Sequence, residues 1–278
     1  MSPFGKRKSR VGLALSGGSA RGLAHIGVLD VLHKEGIPID MIAGTSAGAI
    51  MGAIYAAHLD TDIMPGYALE VTRKKLTPLI DPSLPRSGIL KGKKIKDLLT
   101  GFLGGDLDFK DLKIPFAAVA TDIDTGEEIV INSGSVPDAI RASISLPGIF
   151  TVVKREGRYL VDGGLTTPLP VHVVKAMGAD FIIAVNVNPD VTQRMGKSYK
   201  MRVAAHKEPN LVEIMMQSIY ITTWSLAHNS LAEADIAIEP DLGNMTSNDF
   251  KLAGKMIYRG RVAAEKALPE IRKKLKQL

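Results

Sequence analysis

Residues 40–58 decide the fold of this chain, and they read DMIAGTSAGAIMGAIYAAH. Asp40–Gly44 has the pattern of a short buried strand, and Ala47–His58 has that of a helix rich in small residues. Between them lies Gly44-Thr45-Ser46-Ala47-Gly48, a G-x-S-x-G sequence whose position is typical of a nucleophile elbow. Such a turn lifts the serine above the sheet, and the positive end of the following helix points at it. Ser46 is therefore a candidate nucleophile, and a glycine-softened turn capped by Ser46 is the alternative.

Strand and helix patterns alternate along the rest of the chain. This alternation is typical of a mostly parallel sheet covered by helices on both faces. The predicted fold class is therefore α/β, with three layers in the order helix, sheet, helix. We predict further strands at Val11–Ser16, Phe116–Ala120, Glu128–Ile131, Tyr159–Val161, Phe181–Val187 and Asp235–Glu239, and further helices at Leu23–Leu32, Lys93–Phe102, Pro137–Ser145, Val171–Met177, Leu211–Glu233 and from Ser247-Asn248-Asp249 to an interruption at Pro269.

The length of 278 residues suits one large domain. We expect a basic tail over residues 1–10 and a single domain over residues 11–278. Within that domain, the motifs occupy a core of about residues 11–190, and a helical C-terminal part spans about residues 211–278. No internal repeat divides the sequence.

Two segments have no clear periodic pattern. Gln193–Asn210 is polar and basic, and we expect a mobile loop there. Thr77–Asp108 is rich in proline and glycine around the one short helix, and long loops of this kind often cover binding sites. Its apolar residues suit either a lid or ordinary packing; they are Leu79, Ile80, Leu84, Ile89, Leu90, Phe102 and Leu103.

The composition excludes several classes of protein. Hydrophobic residues make up 45% of the chain and charged residues 23%, which excludes a disordered or fibrous protein. The absence of cysteine excludes disulfides, thiol catalysis and cysteine metal sites. No apolar stretch approaches the roughly 18 residues that a membrane-spanning helix needs. We expect a cytoplasmic protein without metal or cofactor, with peripheral contact to an anionic membrane surface as a further option.

The charge balance is basic, since 35 Lys and Arg against 29 Asp and Glu give a net charge of +6. A basic chain favours anionic surfaces, either lipid or nucleic acid. The basic cluster Lys6-Arg7-Lys8-Ser9-Arg10 has the composition of a solvated tail, with headgroup contact as the alternative. Basic residues of the terminal helix are spread around it, which is typical of a solvated face, so we expect no nucleic-acid partner.

A second glycine-bearing turn, Ser16-Gly17-Gly18-Ser19-Ala20-Arg21-Gly22, follows the first predicted strand. Glycines at such a turn let backbone N–H groups point into a shared cavity, as in an oxyanion hole. A phosphate-binding loop is the alternative. The sequence fits it poorly, because the P-loop ending Gly-Lys-Ser/Thr is missing and Ser19 takes the middle glycine of G-x-G-x-x-G.

A third turn, Asp162-Gly163-Gly164, also follows a predicted strand. A serine nucleophile needs a base. None of the six histidines, His25, His33, His58, His172, His206 and His228, lies in a glycine-flanked turn at a strand end, whereas Asp162 does. An aspartate has an ordinary pKa of about 3.9, and burial beside Ser46 would raise it toward a useful range. A simple Asp-Gly turn is the alternative.

Together, the three motifs resemble the patatin-like phospholipase family, over about residues 10–190. The matching residues are Gly17-Gly18-Ser19-Ala20-Arg21-Gly22, Gly44-Thr45-Ser46-Ala47-Gly48, Asp162-Gly163-Gly164 and the preceding segment Arg141-Ala142-Ser143 through Leu146-Pro147.

The resemblance implies a Ser–Asp dyad without histidine, with Ser46 as nucleophile and Asp162 as base. It also implies an oxyanion hole of N–H groups around Gly17, Gly18 and Ser19, braced by Arg21. The chain departs from the family pattern at Ser19, where a third glycine is common. The implied activity is hydrolysis of lipid acyl esters, as a phospholipase, lipase or esterase, with no cofactor. A non-catalytic adaptor that keeps the shape of the site is the alternative.

Overall fold

The computed structural model of the chain describes residues 9–73, 88–188 and 208–278. Residues 1–8 of the predicted basic tail, most of Gln193–Asn210 and the apolar residues Leu79, Ile80 and Leu84 lie outside these ranges. The strands are β1 (Val11–Leu15), β2 (Met41–Thr45), β3 (Gly88–Leu90), β4 (Phe116–Asp122), β5 (Glu128–Ile131), β6 (Gly148–Phe150), β7 (Val153–Arg155), β8 (Arg158–Asp162), β9 (Phe181–Val185) and β10 (Ile236–Ile238). The helices are α1 (Ala24–Lys34), α2 (Ala47–His58), α3 (Met64–Arg73), α4 (Lys93–Leu103), α5 (Val136–Ser143), α6 (Val171–Ala176), α7 (Leu211–Leu231) and α8 (Ala253–Leu275).

The main sheet has the strand order β10-β9-β1-β2-β4-β8-β7, and β5 also pairs with β4. Strands β10, β9, β1, β2 and β4 run parallel, while β5, β8 and β7 add antiparallel pairs at one side. The parallel strands β1, β2, β4 and β9 are apolar along most of their length and buried throughout, as expected for strands covered on both faces.

Helices cover both faces of this sheet. Leu13 and Leu15 of β1 belong to the larger core, with buried residues of α1, α2, α4, α5 and α8. Ala14, which points the opposite way, belongs to a second core with residues of α6 and with Ala227 of α7. The predicted three-layer α/β/α fold with a mostly parallel sheet is confirmed.

Helices α1 and α8 approach each other through glycine. A Cβ atom on Gly27 would lie 1.9 Å from the carbonyl oxygen of Ile257, and one on Gly260 would lie 1.9 Å from that of Ala24. Asp30 of α1 also pairs with Arg261 of α8 at 2.9 Å. The last helix is therefore packed backbone against backbone on the helix that follows the glycine-rich turn.

The sequence prediction for the terminal helix was wrong in two respects. The helix begins at Ala253, after a short 3-10 turn over Phe250–Leu252, and it continues through Pro269 to Leu275. Proline removes one helical hydrogen bond, but Ile271 and Leu275 beyond it are buried in the core and hold the last turns in place. The prediction also missed α3 and the short strands β3, β6 and β7, which have too few residues to show a period.

None of the helices in the described ranges combines the length and the apolar composition that a bilayer crossing requires.

Candidate active site

The turn that carries Ser46 joins β2 to α2, and its backbone is strained. Ser46 has φ 52° and ψ −118°, a region that residues with a Cβ atom seldom adopt. A Cβ atom on Gly44 would lie 2.5 Å from the carbonyl of Gly48, and one on Gly48 would lie 2.2 Å from the carbonyl oxygen of Leu15. Both motif glycines are therefore required by close approach, and the turn has the geometry of a nucleophile elbow.

Asp162 lies at the end of β8, two strands away from the end of β2. The Oγ atom of Ser46 donates a hydrogen bond to Oδ2 of Asp162 over 2.7 Å, and the N–H group of Gly164 donates to Oδ1 over 2.8 Å. The structure therefore brings together two side chains that are 116 positions apart in the sequence. Both oxygens of the carboxylate have a donor, which fixes its plane relative to the serine.

Burial is the main influence on the charge of Asp162. Its side chain is almost inaccessible to water, and this burial raises the pKa of Asp162 to about 6, although the hydrogen bonds from Ser46 and Gly164 offset part of the effect. Gly163 allows this burial, since a Cβ atom there would lie 2.3 Å from the carbonyl oxygen of Val119. A carboxylate with such a pKa is a much better general base than an exposed aspartate.

The glycine-rich turn supplies N–H donors next to this pair. Among the described residues, the N–H groups of Gly18 and Ser19 have no hydrogen-bond acceptor, and Ser19 lines the same cavity as Ser46. The N–H group of Ala47, the residue after Ser46, also has no acceptor within the described part of the chain. Sequence reasoning did not include Ala47, although the residue after the nucleophile is a known donor position in elbows of this kind.

One member of the predicted oxyanion set needs correction. The N–H group of Gly17 donates to the carbonyl oxygen of Pro168 over 3.0 Å, so it is already bonded and cannot donate to a substrate in this arrangement. Gly17 instead fixes the position of the turn. A Cβ atom on Gly17 would also lie 3.3 Å from the Cβ atom of Ser46, so the turn passes close to the serine.

Arg21 and Gly22 pack the glycine-rich turn against the protein interior and against the start of α2. The Arg21 guanidinium is buried, with Nη2 3.5 Å from Oδ1 of Asn188 and its carbon 6.0 Å from the ring centre of Tyr220. It therefore contacts the protein interior, as the predicted bracing role requires. A Cβ atom on Gly22 would lie 2.4 Å from that of Ala47, so the turn packs directly on the start of α2.

Ser143 is a further residue of the site that motif reasoning did not identify. Its hydroxyl accepts the N–H group of Ser46 over 2.8 Å and donates to the carbonyl oxygen of Val119 over 2.6 Å. The side chain is fully buried at the end of α5. The matching segment Arg141-Ala142-Ser143 pointed to this part of the chain but not to the contact itself.

A cavity of about 440 Å³ opens beside Ser46 and Asp162. That volume is within the ordinary range of small-molecule sites. Apart from Ser46, Asp162, Ser19 and Asn248 its walls are largely apolar, and many of them come from α2, α3 and α4. Representative side chains are Ile50 and Met51 of α2, Tyr67 of α3, and Leu98, Leu99 and Phe102 of α4.

The segment predicted as either a lid or packing forms one wall of this cavity. Leu90 and Phe102 line it, whereas Leu103 is buried without lining it. Arg141 attaches this wall to the core, since its Nη2 atom donates to the carbonyl oxygens of Lys91 over 2.6 Å and Thr151 over 3.0 Å. The Arg141 guanidinium is therefore one of the contacts that hold this wall, together with the pairing of β3 with β6.

No histidine among the described residues lines the cavity. His25 is buried behind the glycine-rich turn, with Nε2 2.9 Å from the carbonyl oxygen of Ser16, and burial lowers the pKa of His25 to about 4. The remaining described histidines bond elsewhere: His33 to Tyr55, His58 to the carbonyl of Phe102, and His172 to Glu128, while His228 stacks on Trp224; His206 lies outside the described residues.

Comparison with known proteins identifies the family of the chain. The sequence profile described as "Patatin-like phospholipase" matches residues 13–175. An uncharacterized NTE family protein of Mycobacterium tuberculosis is 40% identical over 184 residues, which cover 66% of this chain and 51% of that protein. The neuropathy target esterase sws of Drosophila melanogaster is 34% identical over 182 residues, covering 64% of this chain and 13% of that protein. The chain thus spans about half the length of the mycobacterial relatives, or less.

The fold also has a counterpart among solved structures. VipD from Legionella pneumophila superposes with a TM-score of 0.55 at 15% sequence identity, covering 95% of this chain and 67% of that chain. This likeness shows the fold alone. The profile match spans more than half of the chain and includes all three glycine-bearing turns. The resemblance inferred from the sequence is confirmed, and the chain belongs to the patatin-like phospholipase family.

Proposed function

We propose that this chain is a serine acyl hydrolase that cleaves carboxylic esters of lipids through a Ser46–Asp162 dyad and an acyl-enzyme. The observation that carries the proposal is the 2.7 Å hydrogen bond from Ser46 to a buried carboxylate at the mouth of an apolar cavity. A serine with a raised-pKa base in hydrogen-bond contact is the arrangement that nucleophilic catalysis requires.

In the first step, Asp162 accepts the proton of the Ser46 hydroxyl while Oγ attacks the ester carbonyl carbon. The carbonyl oxygen becomes an oxyanion, and its donors in this proposal are the N–H groups of Ser19 and Ala47, which line the cavity with Ser46, and that of Gly18 beside Ser19. Loss of one such donor costs about 3–4 kcal/mol of transition-state stabilisation in other enzymes. When the tetrahedral intermediate collapses, the C–O bond to the alcohol breaks, and the protonated Asp162 returns its proton to that alcohol.

In the second step, water hydrolyses the acyl-enzyme. Asp162 takes a proton from the water as the water oxygen attacks the acyl carbon. Collapse of the second intermediate breaks the bond to Ser46 Oγ, which regains the proton, and a free carboxylic acid leaves. No further reactant is needed, so the cycle balances with one ester and one water consumed.

The apolar walls support a lipid acyl chain as the part of the substrate that is bound. Side chains from α2, α3 and α4 present aliphatic and aromatic surface to the cavity, and burying an acyl chain there gains free energy in proportion to the apolar area removed from water. The names of related proteins agree with this class, since one is called an esterase and another, from Pyricularia oryzae, a lysophospholipase.

The proposal is tested with the purified chain, a panel of p-nitrophenyl esters and phospholipids, and a fluorophosphonate probe. We expect ester hydrolysis, and we expect Ser46→Ala and Asp162→Asn each to lower kcat on the order of a thousandfold or more. Mass spectrometry should locate the probe on Ser46. The exposed Ser133→Ala is the matched control and should retain full activity.

Substantial activity in either dyad variant, with folding verified by circular dichroism, would contradict the dyad. A folded wild-type chain that neither hydrolyses any ester nor reacts with the probe would instead favour the adaptor function.

A further inference from the structure

Helix α7 has an apolar face that projects into water. The helix contains 21 residues; Glu213 is its one carboxylate, and its sequence has no lysine or arginine. Positions 211, 214, 215, 218 and 221 follow the spacing of a single helical face. Four of these five are large apolar residues that are about half exposed or more: Leu211 is 72% exposed, Ile214 49%, Met215 51% and Ile221 48%.

The same face becomes polar in the second half of the helix, where Thr222, Ser225, His228 and Asn229 are exposed. That second half is also where the helix is attached: Ala227 is buried in the second core, and Thr223 Oγ1 bonds to the carbonyl oxygen of Gly164. The apolar face is therefore confined to the first half of α7, which extends beyond the attachment.

The position of this face relative to the cavity is set by two contacts. The hydroxyl of Tyr220 lies 2.7 Å from Oγ of Ser247, and the neighbouring Asn248 and Phe250 line the cavity. Thr223 bonds to the carbonyl oxygen of Gly164, and the N–H group of the same Gly164 donates to Asp162. The apolar face thus begins beside Tyr220, next to the segment that borders the site.

A contiguous exposed apolar face marks a surface that is covered in use. Two features favour a lipid surface as the partner of this face: the apolar cavity beside it and the positive charge near the site. The face adjoins a cavity whose walls suit an acyl chain, and a water-insoluble substrate has to enter from a lipid phase. The exposed Lys91, Lys93 and Lys94 lie between Leu90 and Ile95, two other residues of the cavity wall, and place positive charge near the site. Positive charge of this kind attracts anionic headgroups.

We propose that the face formed by Leu211, Ile214, Met215 and Ile221 inserts into the boundary between headgroups and acyl chains of an anionic lipid surface, and so holds the cavity against that surface. The choice of a lipid surface rests on the proposed function, since it is the lipid substrate that makes this contact useful. The interaction combines buried apolar area with electrostatic attraction.

The test is co-sedimentation of the full chain with phosphatidylcholine vesicles, with and without phosphatidylglycerol. The Ser46→Ala background prevents hydrolysis during the measurement. We expect binding that is stronger with phosphatidylglycerol and weaker at high salt. The double substitution Ile214→Ser and Met215→Ser should lower the partition coefficient about tenfold or more. The matched control replaces Val130 and Val262, each 40% exposed and outside this face, by serine and should leave binding unchanged.

Two further readouts make the result decisive. In the active background, the double substitution should leave hydrolysis of a short, soluble p-nitrophenyl ester unchanged, which shows that folding and the site are intact. The single tryptophan of the chain, Trp224, lies on the same helix, and its fluorescence should change on vesicle addition only when the apolar face is intact.

Unchanged vesicle binding by the double variant would overturn the proposal. So would a change from dimer to monomer in light scattering without loss of vesicle binding, because the face would then bind a second copy of the chain. A wild-type chain that binds vesicles through this face but hydrolyses no ester would refute the proposed function and leave the docking surface standing, so the two failures are distinguishable.

Discussion

Ser143 accepts the backbone N–H group of Ser46 and passes a hydrogen bond on to the carbonyl oxygen of Val119, over 2.8 and 2.6 Å. The strained elbow is thereby connected through α5 to strand β4 in the middle of the sheet. Because the N–H group of Ser46 has this acceptor, the backbone at the nucleophile cannot relax by rotating toward another partner. We propose Ser143 as a positioning residue, which would act on the proposed reaction through Ser46.

Replacing Ser143 by alanine should loosen the elbow. The variant leaves the Ser46 N–H group and the Val119 carbonyl without their partner, which should lower the free energy of unfolding by about 1–3 kcal/mol. We expect kcat to fall while KM for a soluble ester stays close to that of the wild type. Urea denaturation and steady-state kinetics measure the two effects. Thr61→Val removes another buried hydroxyl, one that bonds Asp30 away from the dyad, and it should lower stability but spare kcat; an equal kcat loss in both variants would contradict the positioning role.

The activity should depend on pH through Asp162. The group must be ionised to accept the proton of Ser46, and burial raises the pKa of Asp162 to about 6. We therefore expect kcat/KM to rise with pH through a single ionisation near 6 and to level off above it. A pH–rate profile on an uncharged ester measures this. A profile that is flat from pH 4 to pH 8, in an enzyme that stays folded over that range, would show that Asp162 is not the base.

Stability should show the opposite dependence. The pKa of Asp162 is raised on folding, so its contribution to stability is fully present below the unfolded value of about 3.9 and is lost as pH rises through about 6. Replacing Asp162 by asparagine removes the free-energy cost of keeping a charged carboxylate buried in the folded protein. Compared with the wild type, the variant should gain stability between pH 4 and pH 7, by up to about 3 kcal/mol before the loss of one of the two hydrogen bonds to this side chain is counted. Thermal melts of both proteins across this pH range measure the difference, and parallel curves would contradict it.

Backbone strain at the nucleophile is measurable by comparing two inactive variants. Ser46→Gly and Ser46→Ala both lose the bond to Asp162, but only glycine adopts φ 52° without steric cost. We expect the glycine variant to be about 1 kcal/mol more stable than the alanine variant, since the strain of 1–3 kcal/mol exceeds the extra entropy cost of ordering glycine. Equal melting temperatures for the two would show that the elbow is not strained.

The cavity walls should set the preference for acyl-chain length. Leu99→Phe adds volume to a residue that lines the cavity, and Leu103→Phe makes the same change on the same helix at a buried position that does not line it. We expect the first variant to lower kcat/KM for long-chain p-nitrophenyl esters about tenfold while a butyrate ester is unaffected, because a shortened cavity excludes only long chains. The second variant should lower stability without changing the chain-length profile. The same loss in both would indicate a general packing defect.

The parts of the site that sequence could predict are those fixed by local sterics. Gly44 and Gly48 are needed because any side chain there would collide with the backbone. This requirement is visible in the sequence as two glycines at fixed positions on either side of Ser46. Gly163, the residue after Asp162, is required for the same steric reason. The alternation of elements likewise predicted the layers of the fold, because burial on both faces requires continuous apolar strands.

The remaining features depend on contacts between distant segments, which leave no local pattern. Ser143 looks like any helical serine until α5 is packed against β4. The N–H group of Gly17 was expected to face the cavity, but Pro168, about 150 residues later in the chain, supplies its acceptor. Pro269 was expected to interrupt the terminal helix, but buried residues on its far side keep that helix continuous. In each case tertiary packing determined the outcome.

The close crossing of Gly27 and Gly260 has a consequence for any attempt to make a smaller catalytic fragment. The family match ends at residue 175, so the motifs alone suggest that a chain truncated after the last motif would keep the whole site. It would delete the helix that covers α1, uncovering Ile26 and Leu29 and leaving Asp30 without Arg261. The turn with the proposed oxyanion donors leads straight into α1, so we expect a shortened chain to lose the proposed activity through a change on the far side of the molecule.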